Sequence, residues 1–253
     1  CGMLRIFTKI FVQDEESKKN LEKINISGNV FVSGDTRFDR VHEITLHCKQ
    51  FPVIENFVKE GFGFVAGSTW LPDEQMIADV LKNFSKVRLV IAPHEISKER
   101  IDKVSELFES YGVVKFSEIV GDVKNAAVAD VSKLTGIRVL IIDCLGILSS
   151  LYQYAEFAYI GGGFGVGIHN ILEAATYGCP VVFGPNYKKF QEAVDLLKLE
   201  GATCVTDTND FYEILDNCIK DKELREWKGG TCKTYVESHV GATEKIVSEI
   251  ESK

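Results

Sequence analysis

Short apolar runs alternate with amphipathic segments along most of the chain. The runs are rich in β-branched and aromatic residues and predict buried strands at 62–66, 87–92, 139–142, 157–160 and 180–183. Amphipathic stretches between them predict helices. Because strands that alternate with helices are typical of βαβ units, the pattern predicts an α/β fold with a Rossmann-like parallel sheet and helices on both faces.

Weaker patterns surround this core. We predict strands at 4–12, 30–32, 113–116 and 203–205, and a helical tail over 221–250 that is interrupted near Gly229-Gly230 and Gly241. The polar stretch 122–133 fits either a loop or a short helix. We divide the chain into residues 1–60, a linker segment that packs on the same domain, and residues 61–253, the Rossmann-like domain with its helical tail.

A glycine-rich stretch follows the predicted strand 157–160. Five glycines lie between Gly161 and Gly167, and without side chains the amides of residues such as Gly162 and Gly163 can approach a ligand. A helix is predicted to begin near His169, with Asn170 as a capping residue and Glu173 one turn on. Backbone amides at a helix start can hold an anion. Glycine turns that serve packing alone look the same in sequence, and both interpretations stay open.

The spacing of these glycines argues against two common nucleotide sites. Ile168 stands where a G-x-G-x-x-G pattern needs its third glycine, and no Walker Lys-Ser/Thr follows the stretch. The loop therefore suits a phosphate-bearing sugar donor better than NAD or ATP.

Polar residues also follow other predicted strands. Ser68 and Thr69 come after 62–66, His94 after 87–92, and Asp143 after 139–142. Because the carboxyl ends of parallel strands meet at one edge of a sheet, these residues and the glycine stretch converge on one candidate ligand edge. Ser68 or Thr69 as a helix cap and His94 as a structural histidine are the simpler alternatives.

Composition and net charge exclude some classes of binding partner. The net charge of −8 and the lack of Lys/Arg runs argue against a nucleic-acid partner. Seven cysteines without a C-x-x-C pair suit buried thiols in a reducing compartment and do not predict a metal site. The sequence has no signal peptide and no apolar run of about 20 residues.

Several short blocks carry a resemblance to one enzyme family. They are GDTRFDR at 34–40, GSTW at 67–70, PH at 93–94, DCLGIL at 143–148, GGG at 161–163, GIHNILEAA at 167–175 and GPN at 184–186. In this order they resemble the 3-deoxy-D-manno-octulosonic acid (Kdo) transferases, which transfer Kdo from CMP-Kdo to a lipid A precursor in lipopolysaccharide biosynthesis. The resemblance covers most of the chain and implies the C-terminal, donor-binding half of a GT-B glycosyltransferase.

The resemblance also implies roles for the candidate residues. The loop amides at Gly162 and Gly163, with His169 and Asn170, would stabilise the phosphate of the leaving CMP. Ser68 and Thr69 would donate to this phosphate or to the Kdo carboxylate, and Glu173 would accept from the ribose hydroxyls. The backbone of Leu145, Gly146 and Ile147 would contact the cytosine. Many members have Pro-Arg-His where this chain has Pro93-His94-Glu95, so His94, Arg37 or Lys188 would replace that arginine, or donor binding would be weaker.

The rest of the implied enzyme lies outside this chain. The resemblance implies an N-terminal domain that binds the lipid A precursor, supplies the general base and associates with the cytoplasmic face of the bacterial inner membrane. It implies inverting transfer without a metal or a cofactor besides the donor. No catalytic residue is then expected in this chain, and the fragment alone is expected to be soluble and inactive. Apolar residues at both chain ends predict a possible homodimer of the fragment.

Two other functions fit the same residues. A nucleotide-sugar 2-epimerase has a similar architecture but needs catalytic acids and histidines, and the chain has only five histidines. A non-enzymatic sugar-nucleotide-binding module needs only the loop. Titration with CMP, UDP and NAD distinguishes the three.

Overall fold

The computed structural model describes residues 2–120 and 130–252. Residues up to His47 and from Thr234 on form one compact unit, and Cys48–Lys233 form a larger one. Most of the stretch 122–133 lies outside the described residues, and its described end contains a 3₁₀ helix at Val131–Leu134.

The first part of the smaller unit contains two strands and two helices. They are β1 (Ile10–Val12), α1 (Glu15–Glu22), β2 (Val30–Val32) and α2 (Thr36–Leu46). β1 and β2 pair in parallel, with Ile10 opposite Val30. The predicted strand at 4–12 is wrong over its first half, where Met3–Ile6 forms a 3₁₀ helix. Met3 and Ile6 are 71% and 77% exposed, so this segment lacks the sheet contacts that a strand needs.

The larger unit is built on a parallel sheet. Its strands are β3 (Phe62–Thr69), β4 (Val87–Pro93), β5 (Val113–Lys115), β6 (Val139–Ile141), β7 (Phe157–Ile160), β8 (Val181–Phe183) and β9 (Ala202–Cys204). The strand order is β5-β6-β4-β3-β7-β8-β9, and all pairings are parallel. The prediction of an α/β, Rossmann-like fold is confirmed.

Within the larger unit, helices connect these strands and cover the sheet, and α12 belongs to the smaller unit. The remaining helices are α3 (Pro52–Lys59), α4 (Leu71–Leu81), α5 (Lys98–Phe108), α6 (Phe116–Ile119), α7 (Leu148–Leu151), α8 (Leu172–Ala175), α9 (Gln191–Lys198), α10 (Thr208–Lys220), α11 (Lys222–Ser238) and α12 (Ala242–Glu251). Phe64 and its same-face neighbours pack in one core with residues of α4, α5 and α10. Val65 and Val90 point to the opposite face and are equally buried, as expected when both faces are covered.

The strand order places a crevice in the middle of the sheet. From β3 the chain moves outward through β4 on one side, and β7 then pairs with the other side of β3, Gly67 opposite Ile160. The carboxyl ends of β3 and β7 therefore flank a topological switch point, where open α/β sheets bind ligands. The residues that follow Gly67 and Ile160 in the sequence lie at this switch point.

The two units divide the chain at positions that differ from the predicted division at residue 60. The larger unit begins at Cys48 because α3 packs against β3 and buries Val53, Ile54, Phe57 and Val58. The tail from Thr234 on belongs to the smaller unit.

The helical tail has one break where two were predicted. α11 continues through Gly229 and Gly230, so the break predicted there is wrong. A Cβ at Gly229 would lie 2.0 Å from the carbonyl oxygen of Gly178, so glycine serves close packing of α11. The break at Gly241 is confirmed, with φ of 113° before α12. In the described part of the chain, no helix combines the length and apolarity needed to cross a membrane.

Candidate functional site

The end of β3 is distorted where it meets the crevice. The pairing of β3 with β4 shifts between Gly67 and Thr69, and Ser68 has φ of 53°, a left-handed conformation that is costly for a residue with a side chain. The carbonyl oxygen of Ser68 lies 2.3 Å from the Cβ position of Gly161. Strain of this kind concentrates at functional sites, and here the carbonyl of half-buried Ser68 lies against the start of the glycine loop, residues 161–167.

The glycine loop is held tightly by its neighbours. The amide of Gly162 donates to Asp73 Oδ2 over 3.0 Å, and Asn186 Nδ2 donates to the carbonyl of Gly165 over 2.7 Å. A Cβ at Gly163 would lie 2.5 Å from the backbone of Gly184. Close backbone packing therefore explains the first three glycines. Gly165 is exposed, and a Cβ there would make only an ordinary contact of 3.6 Å with the carbonyl oxygen of Gly162, so only the loop tip is open as expected for ligand access.

Several loop amides are available for a ligand. The amides of Gly161 and Gly167 donate to the carbonyls of Gly67 and Gly162. Within residues 2–120 and 130–252, the amides of Phe164, Val166 and Asn170 have no protein acceptor and belong to exposed or half-buried residues, whereas those of Gly163 and Ile171 also have no acceptor but belong to buried residues. Clustered backbone N–H groups without acceptors are suited to bind an anion.

The helix predicted near His169 begins three residues later, and that prediction is wrong. α8 starts at Leu172 and has four residues. The preceding residues instead bond to other loops, with Ile168 N donating to the Asn186 carbonyl and His169 N to the Gly161 carbonyl. A single turn carries little helix dipole, so individual amides are the groups that could bind an anion.

Asn170 and Glu173 lie half-buried beside the loop and are bonded to each other. Asn170 Oδ1 accepts from the amide of Leu172 and its Nδ2 donates to Glu173 Oε1, both over 3.2 Å. The N-cap residue of α8 is Ile171, one residue later than predicted, although the Asn170 side chain holds the first amide of the helix. Neither Asn170 nor Glu173 is turned into the core.

Three rings meet between the two loops. The indole Nε1 of Trp70 donates to His169 Nε2 over 3.2 Å. The ring of His94 stacks on both, with centroids 4.7 Å from Trp70 and 4.3 Å from His169. Burial and the neighbouring His94 lower the pKa of His169, against an opposing effect of Asp73, so this ring is neutral at pH 7. Sequence patterns assigned no role to Trp70 itself, because its hydrogen-bond partner is 99 residues away.

Asp73 connects this cluster to the glycine loop. It is 1% exposed and accepts from Trp70 N over 2.8 Å, from Tyr159 Oη over 2.7 Å and from Gly162 N over 3.0 Å. Burial, followed by the charge and hydrogen bond of Asp73, raises the pKa of Tyr159. Asp73 lies in the first turn of α4, where an acidic side chain interacts favourably with the helix dipole. It also fixes the backbone at the start of the glycine loop.

Thr69 does not face the crevice, contrary to its predicted role as a ligand donor. Its side chain is fully buried, and its hydroxyl donates to Glu74 Oε1 over 2.8 Å. Glu74 in turn pairs with Arg100 Nη2 over 2.5 Å. The bulge at Ser68 directs Thr69 inward, so Ser68 is the hydroxyl of this pair that stays half-exposed.

The segment expected to contact a base follows β6. Leu145 is 77% exposed, Gly146 is exposed with φ of 81°, and Ile147 is buried. The backbone of Leu145 and Gly146 is thus accessible, while Ile147 anchors the segment. Of the suggested arginine replacements besides His94, Lys188 is exposed and Arg37 pairs with Asp35 within the smaller unit.

A small apolar cavity lies beside the loop tip. Its volume is about 240 Å³, and it is lined by Trp70, Pro72, Asp73, Phe164, Gly165 and Val166. The described residues contain no cluster of three or more His, Cys, Asp or Glu side chains that could hold a metal.

Comparisons with known proteins agree with this architecture. No family model matches the chain. The 3-deoxy-D-manno-octulosonic acid transferase of Aquifex aeolicus is 26% identical over 183 residues, which cover 67% of this chain and 47% of that protein. The predicted resemblance to Kdo transferases is confirmed. The chain spans about half the length of the Kdo transferase it matches.

Solved structures share the fold. The C-terminal CMP-Kdo binding domain of WaaA from Acinetobacter baumannii superimposes with a TM-score of 0.58 at 22% identity, over 79% of this chain and 97% of that domain. A UDP-N-acetylglucosamine 2-epimerase gives a TM-score of 0.62 at 17% identity, over 98% of this chain and 59% of that chain. The GT-B glycosyltransferase fold expected for a Kdo transferase half is confirmed.

Proposed function

We propose that this chain is the donor-binding part of a Kdo transferase and binds CMP-Kdo in the crevice between β3 and β7. The proposal is supported above all by the unpaired amides of the glycine loop, which lie at the switch point of the sheet in a chain similar to Kdo transferases. CMP is an anion when it leaves, and backbone amides fixed by Asp73 can stabilise that charge without reorganising.

The proposed reaction is a direct, inverting displacement. The acceptor hydroxyl of a lipid A precursor attacks the anomeric carbon of Kdo, the bond to the CMP phosphate breaks, and the hydroxyl proton passes to a base outside this chain. The loop amides hold the departing phosphate, half-exposed Ser68 donates to it or to the Kdo carboxylate, and Glu173 accepts from the ribose hydroxyls. No metal or cofactor is required in this proposal, and the chain alone is expected to be inactive.

Other parts of the proposal concern the longer protein. We place it at the cytoplasmic face of the inner membrane, through its N-terminal part. A homodimer of the chain remains a prediction, for which the exposed Ile6, Phe7 and Ile250 of the smaller unit are the candidate contacts.

Calorimetric titration of the chain with CMP, UDP and NAD tests the proposed donor. We expect binding of CMP alone. Preferential binding of UDP would favour the 2-epimerase alternative, whose fold the chain shares, and binding of none of the three would contradict both.

The variant Glu173→Gln tests the site itself. Removing a charged acceptor should weaken CMP binding roughly tenfold or more. Glu156→Gln is the matched control, because Glu156 lies at the opposite edge of the sheet, before β7, and accepts from the amide of Gly63. Equal CMP affinities in the two variants would exclude the assigned role of Glu173. In the full-length protein, Kdo transfer with Glu173→Ala or Asn170→Ala provides the corresponding activity measurement.

A further inference from the structure

Trp70 is a polar aromatic residue at the crevice without a role in the proposed reaction. Its indole Nε1–H donates to His169 Nε2 over 3.2 Å, and the ring of His94 stacks on both partners. An indole nitrogen can only donate a hydrogen bond. His169 Nε2 must therefore be the acceptor, which means that the single proton of the neutral ring lies on Nδ1.

The surroundings of His169 favour this neutral form. An imidazolium would place a second N–H against the indole N–H and break the bond to Trp70. Of the titratable groups that face the ring, His94 disfavours protonation and Asp73 favours it, and burial adds to the effect of His94. The pKa of His169 is lowered as a result.

Nδ1 is the ring atom that remains for a ligand. In the part of the chain that the structure describes, this nitrogen has no hydrogen-bond partner. Some side-chain nitrogen and oxygen atoms without a partner are buried, but His169 Nδ1 is not one of them. It is thus accessible to solvent. The Cδ2–Nε2 edge of the ring lies against the loop, since a Cβ at Gly162 would be 3.1 Å from His169 Cδ2 and 3.3 Å from Nε2, and Nδ1 lies on the side of the ring away from Gly162.

We propose that Trp70 is a positioning residue, which holds His169 in the tautomer that presents Nδ1–H to the phosphate of the bound nucleotide. The ligand in this inference rests on the proposed function, whereas the tautomer is a property of the free chain. A neutral donor does not lose its proton as the pH rises through neutrality, so its hydrogen bond to the leaving phosphate persists there.

Nitrogen-15 NMR of the side chain of His169 tests the tautomer without a ligand. In the wild type we expect a protonated Nδ1 and an acceptor Nε2. Trp70→Phe keeps an aromatic ring for His94 but removes the donor, and should raise the pKa of His169, because the indole N–H bonds only the neutral ring. The other tryptophan, Trp227, is 49% exposed on α11, and Trp227→Phe should change nothing at His169.

A proton on Nε2 in the wild type, or an unchanged pKa of His169 in Trp70→Phe, would overturn the inference. The wild-type spectrum alone decides the tautomer if the variant does not fold.

CMP titrations between pH 5.5 and 8 test the ligand role. At pH 8 we expect Trp70→Phe to bind CMP roughly threefold to tenfold more weakly, because His169 can then place its proton on Nε2. This loss should shrink toward pH 5.5 as the freed ring becomes cationic. The wild type and Trp227→Phe, titrated alongside, give the reference pH profile. Matching profiles in all three proteins would contradict the ligand role, and absence of CMP binding in all three would refute the proposed function while leaving the tautomer result intact.

Discussion

The two sides of the crevice use polar residues in opposite ways. On the β3 side, Thr69, Asp73 and Glu74 are buried and bonded to protein partners. On the β7 side, Asn170 and Glu173 are half-buried and adjoin amides that lack acceptors in the described chain. The first side therefore fixes the backbone, and the second leaves hydrogen-bonding capacity for a ligand. Polar residues that follow a strand identify the ligand-binding edge of the sheet. Their burial in the folded chain decides which of them can contact a ligand.

The largest expected effect lies in the ion pair on the β3 side. Glu74→Ala would leave Arg100, whose side chain is 12% exposed, without its carboxylate. Breaking a buried pair in this way costs about 3–5 kcal/mol. Urea unfolding of the chain measures the loss.

Arg88 and Glu60 provide the control for this ion pair. Their charged atoms are 3.6 Å apart, and the Glu60 side chain is 60% exposed. Glu60→Ala should cost less than about 1 kcal/mol, because solvent screens exposed pairs. Similar losses in both variants would show that Glu74 is not a structural anchor of the crevice.

A smaller effect is expected within the glycine loop. Gly163→Ala would place its Cβ 2.5 Å from the backbone of Gly184, so the loop must shift at a cost of about 1–3 kcal/mol. CMP binding should weaken as well, because the amides move. At Gly165 the nearest atom to the Cβ position is 3.6 Å away, and Gly165→Ala should change stability by less than about 0.5 kcal/mol. Unfolding and titration of both variants separate packing from ligand access, and a neutral Gly163→Ala would contradict the packing role.

Local patterns predicted the fold well. The strands at 30–32 and 157–160 were predicted with the observed bounds, because apolar β-prone runs bounded by polar or glycine residues are a local signal. The same alternation predicted the parallel sheet, whose observed order brings the residues that follow β3 and β7 to neighbouring positions at the carboxyl edge.

The candidate site was predicted less completely because its details depend on distant contacts. Ser68 and Thr69 look alike in sequence, and only the bulge at the end of β3 separates the accessible hydroxyl from the buried one. Gly163 and Gly165 look alike too, although a Cβ at Gly163 would clash with the backbone of Gly184 and one at Gly165 would meet no atom closer than 3.6 Å. The bond from Trp70 to His169 joins residues 99 positions apart. The periodicity of apolar residues along the sequence does not indicate which distant residues will be in contact.

The smallest expected effect concerns the open side of the crevice and depends on pH. Asn170→Asp keeps the acceptor for the Leu172 amide but replaces the donor to Glu173 with a second carboxylate. Like charges this close raise the pKa of one carboxyl in the folded state. Stability then falls as pH rises from about 4, because the unfolded chain releases this proton first, and a shift of about one unit costs about 1.4 kcal/mol at neutral pH. Asn170→Ala, which loses both hydrogen bonds but adds no charge, should be destabilised by about 1 kcal/mol at every pH. Urea unfolding at pH 4.5 and 7.5 distinguishes the two, and an Asn170→Asp variant with no extra loss at pH 7.5 would mean that solvent already separates these side chains.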